Sequence, residues 1–251
     1  MATVGLILGE RRAQADLTEP REIGITPRTQ GNLTCFGAPE LSVTPFRAGQ
    51  FVGDTREGSP VNFMDLRCNP HANGTHTECV GHITQERIGL AECHRDYHFP
   101  ALLHTLAPER QSDGDFQIGL SQLATIPEIP EGLRGIILRT LPNPPEKRYR
   151  QYTGTNPPYF TAGAMEWLVE KGIDHLLTDL PSVDREVDGG KLIAHRTFWQ
   201  YPAATRMQAT ITELIYVPDS VVDGFYLVNL QYFPFPMDAA PSRPVLYALQ
   251  F

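Results

Sequence analysis

The sequence predicts a strand-rich α/β domain with few helices, and three observations carry that reading. Gly135-Ile136-Ile137-Leu138-Arg139-Thr140 is a short, nearly continuous apolar run of the kind that forms a buried strand. Thr161 to Lys171 is the clearest helix, and Ile173 to Leu180 follows it directly as another apolar run. Strand, loop, helix and strand in that order predict a right-handed crossover between parallel neighbours. The last third is strand-heavy, because Ile211 to Val217, Gly224 to Tyr232 and Pro244 to Phe251 alternate or run apolar with β-rich composition.

Each element has a local reason. Thr3 to Leu8 is a short apolar run that starts a strand, and the polar, proline-punctuated stretch Arg11 to Arg28 contains Asp16-Leu17-Thr18, a turn or strand start. Phe46 to Val52 reads as a strand, and Gly53 to Asn69 as loop as far as Phe63-Met64-Asp65-Leu66. His94, His98 and His104 lack a neighbouring carboxylate pattern and read as ordinary histidines. Leu141 to Pro158 is a long proline-rich loop with Tyr149 and Tyr152 interleaved, a length that usually means a functional or subunit-bridging segment. In the helix, Thr161 is the N-cap, Met165, Leu168 and Val169 share a face, and Gly172 ends it in the left-handed conformation.

Length does not force a division, so residues 1–251 are read as one domain. A hydrophobic content of 41% supplies a sizeable core, and 22 prolines, above the usual share of about 5%, predict stiff loops. The net charge of −8 argues against a nucleic-acid partner; the nearest thing to a basic patch, Lys147-Arg148-Tyr149-Arg150, reads as a solvated loop face. Cys35, Cys68, Cys79 and Cys93 show no Cys-x-x-Cys spacing. The first apolar run is too short for a signal peptide, so a reducing cytoplasmic location is expected. No run reaches the roughly 20 apolar residues of a membrane span.

The chemistry concentrates in Asn69-Pro70-His71-Ala72-Asn73-Gly74-Thr75-His76-Thr77-Glu78-Cys79-Val80-Gly81-His82, where three of the eight histidines fall within twelve residues. If the segment after Gly74 runs extended, His76 and Glu78 point to the same side and face one point in space. Imidazole nitrogen with carboxylate oxygen is an ordinary donor set for zinc and also admits manganese. Gly74 and Gly81 are expected at positive φ or at a close backbone approach to a ligand. His82 lies at an even offset from His76 and can reach the same pocket without being a ligand, whereas alternation turns Cys79 away. A structural ion, or hydrogen-bonded histidines with no metal, are the competing readings.

Gly74-Thr75-His76-Thr77-Glu78 with His82 resembles the His-x-Gly-Thr-His-x-Asp-x-Pro-x-His signature of the cyclase-like metal-dependent hydrolases, which include bacterial kynurenine formamidase and isatin hydrolase. Glu78 replaces the aspartate, Val80 the proline, and His71 stands one residue too far upstream. Leu177-Thr178-Asp179-Leu180-Pro181-Ser182-Val183-Asp184 followed by His195 resembles the family's Asp-x-Pro-Ser-x-Asp segment and its downstream histidine. Ile211-Thr212-Glu213-Leu214 resembles the strand bearing the last metal-binding carboxylate, after a longer gap than is typical. Asp16-Leu17-Thr18 and Ala240 to Val245 extend the likeness in scattered blocks.

The resemblance implies a swivelling β/β/α fold and a divalent metal, zinc or manganese, held by His76, Glu78, Glu213, His195 and His71. It also implies an acid-base role for His82. Asp184 and Asp179 are expected to hydrogen-bond a ligand imidazole. Residue pattern adds one argument for Glu213, since Ile211, Glu213 and Ile215 would share a strand face where an unpaired charge is costly; pairing with Arg196 or Arg206 is the alternative. The expected function is metal-dependent hydrolysis of an N-formyl aryl amide or cyclic amide by a metal-activated water, in a homodimer acting on a small aromatic amide without nucleic acid or membrane. Phe63, Trp199, Tyr201 and Tyr232 are candidates for the ring pocket. The alternatives are lactone hydrolysis or cyclisation on the same site, and a non-catalytic metal-binding or small-molecule-binding protein.

Overall fold

The computed structural model describes residues 2–251, and its frame is one large sheet that closes on itself. Nine strands build it: β1 (Thr3–Leu8), β2 (Arg11–Asp16), β3 (His76–Glu78), β4 (His98–Leu106), β5 (Gly135–Thr140), β6 (His175–Thr178), β7 (Thr210–Glu213), β8 (Gly224–Tyr232) and β9 (Ala239–Gln250). They run in the order β1-β2-β9-β8-β4-β5-β6-β7-β3, with the two-residue strand Arg21–Glu22 added beside β9. Because the start of β9 also pairs with β3, Ala239 opposite Glu78 and Pro241 opposite His76, the seven strands from β9 round to β3 form a barrel. The strand-rich α/β class predicted from sequence is therefore what the chain adopts.

β4, β5, β6 and β7 are mutually parallel, and β5 and β6 are neighbours with the α1 helix (Ala162–Glu170) between them in the chain, as the crossover reading requires. Thr161 caps α1 by accepting from the Ala164 amide, Met165 and Leu168 are buried, and Gly172 takes φ 73° just past the end. Strand side chains alternate between two cores. The outer one joins Leu138, Leu176 and Ile211 of the sheet to Met165 and Leu168 of α1 and to Phe198 and Trp199 of the α2 helix (Ile193–Trp199). The inner one, filled by Phe99, Leu103, Ile137, Leu177 and Val228, contains no helical residue and occupies the barrel interior.

Several expectations change. Residues 46–52 are not one strand but two short ones, Arg47–Ala48 and Phe51–Val52, folded about Gly49 at φ 57°. Met64–Arg67, at the run where the loop reading of Gly53 to Asn69 stops, forms a strand that pairs with Ser42–Pro45. The strand read over Ile211 to Val217 ends at Glu213, because Leu214 adopts φ 55° and reverses the alternation, sending Ile215 into the inner core. Of the basic run at 147–150, Arg148 and Arg150 are exposed, but Lys147 is buried with its ammonium 2.8 Å from Asp179, so the solvated-face reading fails at that residue. Among the described residues no helix is long and apolar enough to cross a membrane.

Candidate metal centre

The site grows from the seam where β3 and β7 pair. Antiparallel register sets Glu213 opposite His76 and Ile211 opposite Glu78, and residues directly opposite point the same way. His76, Glu78 and Glu213 therefore share the outer face, under α2. His71 reaches them because residues 69–73 form a tight turn, with the Ala72 and Asn73 amides donating to the Asn69 carbonyl and Asn73 Oδ1 accepting from the Asn69 amide. That turn absorbs the extra residue in the motif. His82 arrives from the 3₁₀ turn Val80–His82, and His195 from α2.

Each of the four imidazoles uses one nitrogen outward and aims the other at the same place. His76 Nδ1 faces the Gly74 carbonyl at 3.1 Å, His195 Nδ1 faces Asp184 at 2.6 Å, and both His71 Nε2 (2.8 Å) and His82 Nδ1 (3.3 Å) face Oδ2 of Asp238. Inward, His195 Nε2 is 3.0 Å from Glu78 Oε1, while His71 Nδ1 and His82 Nε2 stand 3.2 and 3.9 Å from Glu78 Oε2. His76 Nε2 lies 3.4 Å and His195 Nε2 4.0 Å from Glu213. Donor atoms of His71, His76 and Glu78, and likewise of Glu78, His82 and His195, all fall within 4.8 Å of one another.

The electrostatics favour positive charge beside the two carboxylates. Glu78 and Glu213 are buried, yet among the described residues neither has a lysine or arginine partner, so the positive charge that faces them comes from the histidines. Burial opposes charge on His195, but the Glu78 carboxylate and the hydrogen bond to Asp184 outweigh it and push the imidazole up to about 10. His71 is likewise pushed up to about 10, burial being outweighed by Asp238 and Glu78. Burial alone would raise the Glu78 carboxyl; the charges of His82 and His195 instead hold it well below the usual range. Buried His76 Nε2 and Glu78 Oε2 have no hydrogen-bond partner, the approach of His71 to the latter being close but not aligned for one. Two polar atoms pointed at each other's neighbourhood without partners, in a nitrogen and carboxylate-oxygen set, fit a divalent ion of the zinc or manganese kind.

All six residues read from sequence thus converge: His71, His76, Glu78, His82, His195 and Glu213. Glu213 avoids both arginines, accepting instead from the Val183 amide at 2.9 Å, while Arg206 pairs with Asp174 and Arg196 stacks on Tyr201. Asp184 orients His195 as expected, and also caps α2 by accepting from the Ala194 and His195 amides. Asp179 does not touch the site; it binds Thr140 and Lys147. Neither Gly74 nor Gly81 takes positive φ, but a Cβ at Gly81 would meet the Ile88 carbonyl at 2.1 Å, so its need is close packing rather than a ligand. Cys79 points away, towards the Ile88 carbonyl.

Of the four proposed ring-pocket aromatics only Trp199 adjoins the centre, its ring 5.4 Å from His195 and fully buried behind it. Phe63 packs on Phe46, and Tyr232 on His94. An open cleft of about 380 Å³, lined by Pro39, Glu40, Arg67, Asn69 and Met237, leads to His71. The residue that sequence reading missed is Asp238. Its signal was weak but present, as it is the sole acidic residue between Gly224 and Phe251.

A closed strand-rich barrel carrying a His-and-carboxylate centre on its outer face defines a class, and comparison fixes the family. Residues 15–185 match the model of the Cyclase family, described as "Putative cyclase", and the chain belongs to that family. Similar solved structures include a predicted metal-dependent hydrolase from Bacillus stearothermophilus, 18% identical over 91% of this chain and 98% of that one, with TM-score 0.62. Another is a potential metal-dependent hydrolase with cyclase activity, 17% identical over 93% and 99%, TM-score 0.64. Isatin hydrolase A from Labrenzia aggregata is 14% identical over 91% and 94%, TM-score 0.63. At these identities the likeness establishes the fold. No curated protein matches the chain.

Proposed function

We propose that this protein is a divalent-metal-dependent hydrolase of amides, with N-formyl aryl amides and cyclic amides as its substrate class. The observation that carries the reading is the convergence of four imidazole nitrogens on two buried carboxylates that lack any lysine or arginine partner among the described residues. His71, His76, Glu78, His195 and Glu213 would hold the ion. Such an ion, zinc or manganese, polarises a carbonyl and lowers the pKa of water from 15.7 to about 7 in favourable zinc sites.

The remaining work falls to side chains of the chain itself. His82 is more exposed than the other three histidines, and with Nδ1 engaged by Asp238 its Nε2 faces the centre. From there it takes a proton from the attacking water and returns it to the leaving nitrogen, a role worth typically 10²–10⁴-fold. Asp184 fixes the His195 ring, and Trp199 behind it excludes water from that side. The cleft beside His71 admits the substrate. The similar structures, a predicted metal-dependent hydrolase and isatin hydrolase A among them, support hydrolysis at the level of class.

We read the working form as a homodimer in the cytoplasm. Exposed Val43, Phe63 and Leu66 on the 42–67 segment supply an apolar contact surface, and four free cysteines suit a reducing compartment. The test is elemental analysis of purified protein loaded with zinc or manganese, followed by assay of N-formylkynurenine, isatin and simple lactones with and without chelator. One or more ions per chain, with chelator-sensitive hydrolysis of an amide, is expected. Stoichiometric metal with no turnover of any of the three substrates would sink the amide-hydrolase reading, and lactone turnover alone would move the reaction to esters.

A further inference from the structure

Asp238 stands behind two of the four histidines. Its Oδ2 lies 2.8 Å from His71 Nε2 and 3.3 Å from His82 Nδ1, while the opposite nitrogens of the same two rings face Glu78 Oε2. The carboxylate is thus separated from the Glu78 side of the site by the rings themselves. Its backbone is fixed by the barrel seam, since the Asp238 carbonyl accepts from the Cys79 amide at 3.0 Å and the next residue, Ala239, pairs with Glu78. The turn carrying His82 is tied to the same point, its amide donating to the Cys79 carbonyl. One rigid junction therefore sets the relative position of Asp238, His82 and Glu78.

From this geometry we propose that Asp238 is a positioning residue: it holds His82 in the tautomer with the proton on Nδ1, leaving Nε2 as the basic atom, and aligns His71 through the same oxygen. A neutral imidazole has one donor and one acceptor nitrogen, and which is which follows from the partner that the other nitrogen finds. Without Asp238 no other described residue in contact with His82 Nδ1 would accept its proton, and the ring would lose its preference. The arrangement repeats on the other side of the centre, where Asp184 faces His195 Nδ1. Two carboxylates on the rims thus orient three rings. The proposal rests on the hydrolase reading above only for the use made of the Nε2 lone pair.

The experiment is long-range ¹H–¹⁵N correlation spectroscopy on histidine-labelled, zinc-loaded protein, with His82 assigned by loss of its signals in H82Q, alongside zinc titration. Wild type is expected to show the Nδ1–H tautomer at His82. D238A should shift it towards Nε2–H, and D238N, which keeps an oxygen acceptor in place, should preserve Nδ1–H. Zinc stoichiometry should stay unchanged in D238A, with affinity weaker by about 10–100-fold through loss of the His71 contact. Should D238A fail to fold, D238L fills the volume without an acceptor and carries the same expectation. An unchanged His82 tautomer in D238A or D238L, or an Nε2–H tautomer already in wild type, overturns the proposal. So does loss of one whole zinc ion per chain in D238A, which would make Asp238 a ligand. If wild type takes up no zinc, the metal reading fails, and the tautomer comparison on metal-free protein still decides the role of Asp238.

Discussion

Two groups of buried or half-buried histidines occupy opposite ends of the same strands, and their surroundings drive them in opposite directions. Glu213 closes β7 at the metal-centre end, whereas Thr210 opens it beside His175, about 10 Å away at the rise of an extended strand. At the far end His175 stacks on Phe99 with ring centroids 4.1 Å apart, and its Nδ1 meets the Thr210 hydroxyl. Burial, then the nearby His94, Arg134 and Arg206, pushes it down to about 3. Burial also lowers His94. At the near end burial is just as complete for His195, yet carboxylates win and the ring is pushed up to about 10.

Burial therefore does not distinguish a histidine of the candidate site from a packed one. The number of acids facing it does. An imidazole between aromatic walls is held neutral and serves as a shape; one between two carboxylates must hold a proton or give its lone pair to a metal. Even the unpaired Nε2 of His175 carries no ligand argument, because no carboxylate among the described residues joins it.

The sharpest way to break this contrast is to remove one histidine from each group. His76→Ala should abolish stoichiometric metal and activity together, while His175→Gln should leave both in place, as read by elemental analysis and turnover. Retained metal in the first variant, or lost metal in the second, would erase the distinction. Within the near group, roles divide by exposure. His82→Asn should keep its metal and lose about 10²-fold or more in turnover, the range for a missing acid-base group. Loss of metal from that variant would make His82 a ligand.

Glu213 gives a smaller and more graded effect. Its carboxylate is buried, 3.4 Å from His76, and the Val183 amide is its hydrogen-bond donor. Glu213→Gln should fold and weaken metal binding by about 10-fold, whereas Glu213→Leu should fold without metal, since it deletes a costly buried charge along with the donor atom. Full metal occupancy in Glu213→Leu would place this carboxylate outside the coordination shell.

How much of this was legible in the sequence follows from how local each feature is. His76 and Glu78 were readable because strand periodicity alone puts them on one side, and α1 because cap, apolar face and terminal glycine all lie within a dozen residues. The barrel closure was not readable, since β3 and β9 meet across the length of the chain with no local mark of their pairing. The α2 helix was missed because its cap residue, Leu192 at φ 49°, carries no capping side chain; the cap is Asp184, ten positions before Ala194. The phase of residues 211–217 was misread because φ 55° at Leu214 is not encoded by a glycine or asparagine. Asp238 faces histidines more than 150 residues away, so only its isolation in an apolar stretch marked it.

The smallest expected effect separates the two groups by pH. His195 has a folded pKa raised from the ordinary 6.5 to about 10, so in metal-free protein its stabilising contribution is full below 6.5 and is lost as pH rises through 10. His175 has a folded pKa lowered to about 3, so the unfolded chain takes up a proton first. Its contribution is full above 6.5 and is lost as pH falls from 6.5 towards 3, at no more than about 1.4 kcal/mol per pH unit. Zinc loading replaces the proton at the near end and should flatten the alkaline limb while steepening the acid one, because the imidazoles that hold the ion take up protons only on unfolding. His175→Gln should instead flatten the acid limb, by about 1 kcal/mol over the first unit below 6.5, while leaving the alkaline limb unchanged. Urea unfolding of both proteins across pH 5 to 10, compared as slopes rather than absolute stabilities, measures this. An acid limb unchanged in His175→Gln would mean that His175 is not held neutral by its aromatic surroundings, and the contrast between the two ends would reduce to the metal centre alone.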